Sequence, residues 1–76
     1  MADNVNQPAH YQGEIECIEA IKASMTNEEF KGYLRGNCIK YLWRFNRKHV
    51  DQEKQLEDLR KSEWYNNRLQ KEIQNG

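Results

Sequence analysis

Apolar positions in this 76-residue chain recur at three- and four-residue steps in successive blocks, the period of helices with one buried face. Ile15, Ile18, Ile21 and Met25, with Ala20 beside them, predict a short helix over 14–25. Its other face carries Glu14, Glu16 and Glu19, acids suited to the positive end of a helix dipole. Thr26-Asn27-Glu28-Glu29 is a capping box, in which the Thr26 hydroxyl accepts from the Glu29 amide and the Glu29 carboxylate accepts from the Thr26 amide. A second helix therefore starts here and runs through Lys48, since no proline interrupts it. Gly32 and Gly36 each cost it about 1 kcal/mol in propensity, which implies a packing reason for them. After His49 and Val50, Asp51 is a fitting N-cap for a long third helix with Leu56, Leu59, Leu69 and Ile73 at helical spacing. Residues 1–13, rich in Asn and Gln and closed by Gly13, lack such a period and read as an extended arm. The pattern thus predicts an all-α fold: an N-terminal arm over 1–13 and a single three-helix domain over 14–76.

The middle helix holds the most information. At about 100° per residue, Phe30, Leu34, Cys38, Tyr41, Leu42 and Phe45 gather into one broad apolar arc, the predicted core face. On roughly the opposite side lie Gly32, Gly36, Ile39 and Trp43, a second stripe on which another backbone can approach closely. The helix is expected to pack on two sides, one against its own chain and the other against a neighbouring subunit. Between the stripes falls a polar ridge of Asn37, Lys40, Arg44, Arg47 and Lys48, with Tyr33 at its upper end. Asn37, Lys40 and Arg44 project from successive turns, so an amide, an ammonium and a guanidinium can converge on one anionic group, with phosphate the natural ligand. The plainer reading is a solvated face whose bases pair with acids such as Glu16, Glu19 or Asp58. Tyr41, Trp43, Trp64 and Tyr65 offer a stacking surface for a base, or simply core.

Composition sharpens this picture. Twelve basic and 12 acidic residues cancel, but not evenly along the chain. Residues 1–30 hold six acids and one base, residues 31–50 six bases and no acid, and residues 51–76 six acids and five bases. A local basic surface on a neutral protein can meet a phosphate or the acidic blocks of its own chain. Direct DNA binding is disfavoured, because a short basic block on a neutral chain makes a small positive field. Aromatic residues at 11% argue against plain disorder, and no apolar run approaches the ~20 residues of a membrane span. So short a chain buries only about 60% of the surface its unfolded form exposes, which makes a homo-oligomer the expected state. Cys17 and Cys38 form no Cys-x-x-Cys pair and follow no secretory signal. They read as reduced, half-buried thiols in a cytoplasmic protein.

Orthodox catalytic motifs are missing. There is no phosphate-binding loop of the Gly-x-x-x-x-Gly-Lys-Ser/Thr type, no Gly-x-Gly-x-x-Gly after a strand, and no His-Glu-x-x-His. His10 and His49 stand at no metal-ligand spacing, and no metal site is expected. His10-Tyr11-Gln12-Gly13 places an imidazole and a phenol just before the first helix, where they can fold over a ligand as proton donors or anchor the arm.

His10-Tyr11-Gln12-Gly13, Ile15-Glu16-Cys17-Ile18, Phe30-Lys31-Gly32-Tyr33-Leu34 and Gly36-Asn37-Cys38-Ile39-Lys40-Tyr41-Leu42-Trp43-Arg44 together resemble a family of small phage-encoded proteins of an uncharacterised domain type. Glu57-Asp58-Leu59-Arg60-Lys61-Ser62-Glu63-Trp64-Tyr65 is similar to that family's closing pattern. Its members are labelled nucleotide-kinase-like, because the domain is similar to part of a podophage nucleotide kinase that phosphorylates deoxynucleoside monophosphates without a P-loop. The resemblance implies a phage origin and the handling of nucleotides. It carries Asn37, Lys40, Arg44 and Lys61 over as phosphate-site residues, Asp58 and His10 as acid or base, and Tyr11 beside them. This chain departs from the family near 47–56, where a glycine-containing turn is usual, and has Ser62 and Asn66 where apolar residues are expected.

Two functional classes follow from these readings. One is a phosphate-recognising nucleotide-binding domain using Asn37, Lys40, Arg44 and Lys61, with Tyr11, Tyr41 or Trp64 stacking on the base and magnesium admissible as the nucleotide's counter-ion. The other is a small interaction protein that binds and redirects a host protein through exposed aromatics such as Trp64.

Overall fold

The computed structural model describes residues 17–76. The proposed arm, with His10 and Tyr11, lies outside them. Three helices are described: α1 over 17–23, α2 over Asn27–Lys48 and α3 over Gln52–Asn75. Among the described residues there is no strand, so the fold is all-α. The chain divides into two compact units, Met1–Phe30 and Lys31–Gly76.

In the first unit, α1 ends earlier than its apolar period predicts. The Ser24 amide donates to the carbonyls of Ala20 (3.2 Å) and Ile21 (3.1 Å), and the Ser24 hydroxyl donates to Ile21 O at 2.7 Å. A serine that satisfies backbone carbonyls from its own side chain competes with helix propagation, and Met25 falls in the turn that follows. The capping box then forms as predicted. The Thr26 amide donates to Glu29 Oε1 at 2.8 Å, and the Glu29 amide donates to Thr26 Oγ1 at 3.1 Å. Ile18 and Phe30 are buried. Cys17 is exposed, not half-buried, because it faces away from the side of α1 that carries Ile18.

In the second unit, α2 and α3 form an antiparallel helical hairpin. Tyr33 meets Tyr65, Cys38 meets Ser62 and Arg44 meets Asp58, so positions rise along α2 as they fall along α3. The connection is short, as antiparallel neighbours require. Asp51 adopts an extended conformation and accepts from the Glu53 amide at 3.1 Å, which starts α3. Gln55 Nε2 donates to His49 O at 2.8 Å. Side-chain hydrogen bonds therefore close the turn in the segment where the sequence lacks a glycine.

Leu34 and Cys38 are buried on the face of α2 that the period marked as core. Leu42, assigned to the same arc, is 53% exposed. It stands at the arc's edge over a shallow groove shared with Leu56 and Leu59. Opposite them on α3, Ser62 takes up a position where an apolar residue is expected. Its hydroxyl donates to Cys38 O at 3.1 Å, and the Cys38 thiol donates to Ser62 O at 3.5 Å. A buried hydroxyl with a partner in place costs little, so this reciprocal pair lets a polar residue sit at the helix contact. Gly32 and Gly36 have open space where a side chain would project, so none of the described residues packs against them there.

Candidate functional site

The polar ridge of α2 comes together with α3 around one aromatic ring, that of Tyr41. Lys40 Nζ lies 4.6 Å from the centre of this ring, Arg44 Cζ 5.3 Å and Lys61 Nζ 5.5 Å. Lys40 and Arg44 reach it as neighbours along α2, whereas Lys61 comes from α3 and is brought in only by the hairpin. Tyr41 also stacks on Tyr65, with centroids 6.0 Å apart and planes 13° from parallel. Tyr33 and Trp64 meet Tyr65 edge-on at 6.3 and 5.1 Å. The electron-rich face of a phenol ring attracts cations, each by about 0.5–1 kcal/mol at an exposed site. That attraction holds three like charges close together, which otherwise repel.

Asp58 lies beneath the cluster and is 2% exposed. Arg44 Nε approaches its Oδ2 to 3.5 Å and His49 Nε2 to 3.3 Å. Neither contact has hydrogen-bond geometry, and Arg44 Nε and Asp58 Oδ2 are buried with no hydrogen-bond partner. A buried carboxylate is tolerated only where opposite charge faces it, and here that charge comes from Arg44 on α2, with the His49 imidazole of the turn beside it. Among the described residues Asp58 is the carboxylate that ion-pairs with this cluster, and it does so through Arg44 alone. Lys40 and Lys61 are exposed and direct their charge towards solvent around the ring.

Lys40, Arg44, Lys61 and Tyr41, all singled out from sequence, thus share one small surface. Asn37 is set apart from them: its Nδ2 donates to Tyr33 O of its own helix at 2.9 Å. Trp64, 47% exposed, borders the aromatic cluster through Tyr65 rather than touching Tyr41. Asp58 is enclosed behind Arg44, and so meets Arg44 and His49 instead of solvent. Arg47, the next base of the ridge, turns away to lie over the Trp43 ring at 3.9 Å and donates to Trp43 O at 2.7 Å. Sequence reasoning missed His49. The available signal was its place in the turn, within reach of an acid one to two turns into the following helix.

Comparison with known proteins bears on this surface. The family model DUF3310, described as a protein of unknown function, matches residues 5–67. The chain belongs to that family. It is 42% identical over 72 residues to the nucleotide kinase gp1.7 of Escherichia phage T7, a match that covers 91% of this chain and 36% of that protein. It is 39% identical over 64 residues to the gene 1.7 protein of Enterobacteria phage T3, covering 82% of this chain and 39% of the relative. The chain therefore spans less than two-fifths of the length of these curated relatives. No solved structure matches it. The expected kinship with phage proteins labelled as nucleotide kinases is borne out by these matches. Among the described residues no helix is long and apolar enough to cross a membrane.

Proposed function

We propose that this chain is a nucleotide-binding domain of kinase-like phage proteins, and that it holds the phosphates on Lys40, Arg44 and Lys61 around Tyr41. The observation that carries this reading is the gathering of three cations from two helices on one ring, two of them with no carboxylate partner among the described residues. Such a cluster gains stability when an anion arrives, and phosphate oxygens suit the fork of Arg44 with the two ammonium groups as point charges. The name of the T7 relative, a nucleotide kinase, agrees in kind. Stacking on Tyr41 or Trp64 gives the base a place beside the phosphates.

In a transfer reaction these cations would stabilise charge spread over the equatorial oxygens of the moving phosphoryl group. Asp58, being buried, would act by holding Arg44 in place rather than by meeting substrate. Asn37, tied to Tyr33 O, would support the helix at the rim of the site. Magnesium, where it accompanies the nucleotide, would shield the phosphates from one another.

The test is a thermal-shift and calorimetric screen against nucleoside mono-, di- and triphosphates and inorganic phosphate, with and without magnesium. A nucleotide at a hundredfold excess over its Kd adds about 2.7 kcal/mol to stability. The Lys40→Ala/Lys61→Ala variant, which removes exposed side chains, should keep its fold and lose at least about tenfold in affinity, since each charged contact contributes about 1.5–3 kcal/mol. Full affinity in that folded variant, or no shift with any nucleotide, refutes the reading. A second reading, binding of a host protein, rests on the 47% exposure of Trp64. It gains ground if the nucleotide screen is blank and Trp64→Ala abolishes recovery of one specific partner.

A further inference from the structure

The face of α2 that looks away from α3 carries Gly32, Gly36, Ile39 and Trp43 within an arc of about 60°. Ile39 is 56% and Trp43 63% exposed, and a Cβ built on either glycine would meet nothing within 4 Å among the described residues. Hollows and protrusions are spaced symmetrically about the middle of the helix. Gly32 lies five residues from its first residue and Trp43 five from its last, while Gly36 and Ile39 lie nine residues from the two ends. The helix ends match in charge as well: the first turn holds Glu28 and Glu29, and the last turn Arg47 and Lys48.

We propose that two copies of this chain pair through this face, with their α2 helices antiparallel about a two-fold axis at mid-helix. In that arrangement residues equidistant from the centre come opposite one another, as an isologous contact requires. Trp43 then rests in the hollow at the partner subunit's Gly32, and Ile39, close to the axis, rests in the hollow at the partner subunit's Gly36. The acidic first turn lies alongside the partner subunit's Arg47 and Lys48. Opposed dipoles and end charges favour this direction, whereas a parallel pair would set acid against acid and base against base. Trp43 is already held for the purpose, because Arg47 covers its ring at 3.9 Å and donates to its carbonyl. The contact gives a role to two mid-helix glycines that none of the described residues packs against. It also covers two large apolar side chains that the hairpin leaves in water.

Sedimentation velocity across a wide concentration range tests this directly. The expected result is a concentration-dependent dimer, converted to monomer by Ile39→Glu and by Trp43→Ala. Circular dichroism should stay unchanged in both, because these side chains lie outside the hairpin core. A charge reversal then tests the direction: Arg47→Glu should weaken the dimer at least tenfold, and adding Glu28→Lys should recover most of that loss. A monomer at every concentration overturns the proposal. So does a dimer indifferent to both Ile39→Glu and Trp43→Ala, or a charge reversal that the second change does not rescue. Nucleotide affinity measured on the same samples reports on the cation cluster separately.

Discussion

The side of α2 that packs on α3 and the side turned away from it differ in an unexpected sense. The packed side encloses polar groups: Asp58 at 2% and Ser62 at 5% exposure lie among Leu34, Cys38 and Arg44. The outer side leaves Ile39 and Trp43 more than half in water. A small chain seldom buries charge where it could bury carbon, and seldom exposes a tryptophan and an isoleucine on neighbouring turns. The contrast teaches that the α2–α3 contact is organised by specific pairing as well as by apolar burial. The Cys38 and Ser62 exchange fixes how the helices slide, and Asp58 fixes where the guanidinium of Arg44 stands.

The largest effect should come from breaking the packed side at Asp58. Removing one partner of a buried charge pair costs about 3–5 kcal/mol, and the lower end applies here because the Arg44 side chain is 31% exposed. Asp58→Ala should therefore lose about 3 kcal/mol in urea unfolding and also weaken nucleotide binding, since Arg44 is released. A loss under 1 kcal/mol would show that Asp58 is not the anchor of this contact.

A smaller difference is expected between one change on each side. Ser62→Ala deletes the hydrogen bond to Cys38 O and should cost about 1 kcal/mol. Trp43→Ala should alter the stability of the monomer by less than about 0.5 kcal/mol, as is usual for exposed positions. Equal losses at the two sites, measured at a concentration where the chain is monomeric, would dissolve the contrast.

The smallest effect concerns the two thiols. Burial pushes the Cys38 thiol above its ordinary range, against a partial lowering by its backbone hydrogen bond, whereas Cys17 is exposed. Iodoacetamide at mildly alkaline pH should modify Cys17 first and Cys38 only on unfolding. Because the folded state holds the Cys38 proton more tightly than the unfolded chain, its contribution is complete below the ordinary thiol pKa. Stability should fall as pH rises through the higher folded value. Equal labelling rates for the two cysteines would contradict the burial.

Much of this was legible in the chain. Thr26 with Glu29, and Asp51 as an N-cap, announce where α2 and α3 begin, because a cap is a local arrangement of side chain and backbone within four residues. Leu34 and Cys38 follow from the helical period. Leu42 did not, because the arc of a helical wheel has edges and only the width of the facing helix decides which edge is covered. Within the candidate site, Lys40, Arg44 and Tyr41 are readable as neighbours on one helix. Lys61 entered through a resemblance, and His49 was overlooked because its partner Asp58 is brought close only by the turn.

The sequence by itself determined the helices and their caps, the ridge of bases on α2, the glycine-bearing stripe opposite the core, and membership in a family of phage proteins. Each of these rests on spacing along one helix, which is set by the 3.6-residue repeat, or on direct similarity. Only the tertiary structure decided that Lys61 joins Lys40 and Arg44 on the Tyr41 ring. It alone buried Asp58 between Arg44 and His49 and paired Ser62 with Cys38. These contacts join residues that stand 9 to 24 positions apart, and their partners are chosen by how far one helix slides along the other. That offset is fixed by the packing of two whole surfaces, which no local pattern encodes.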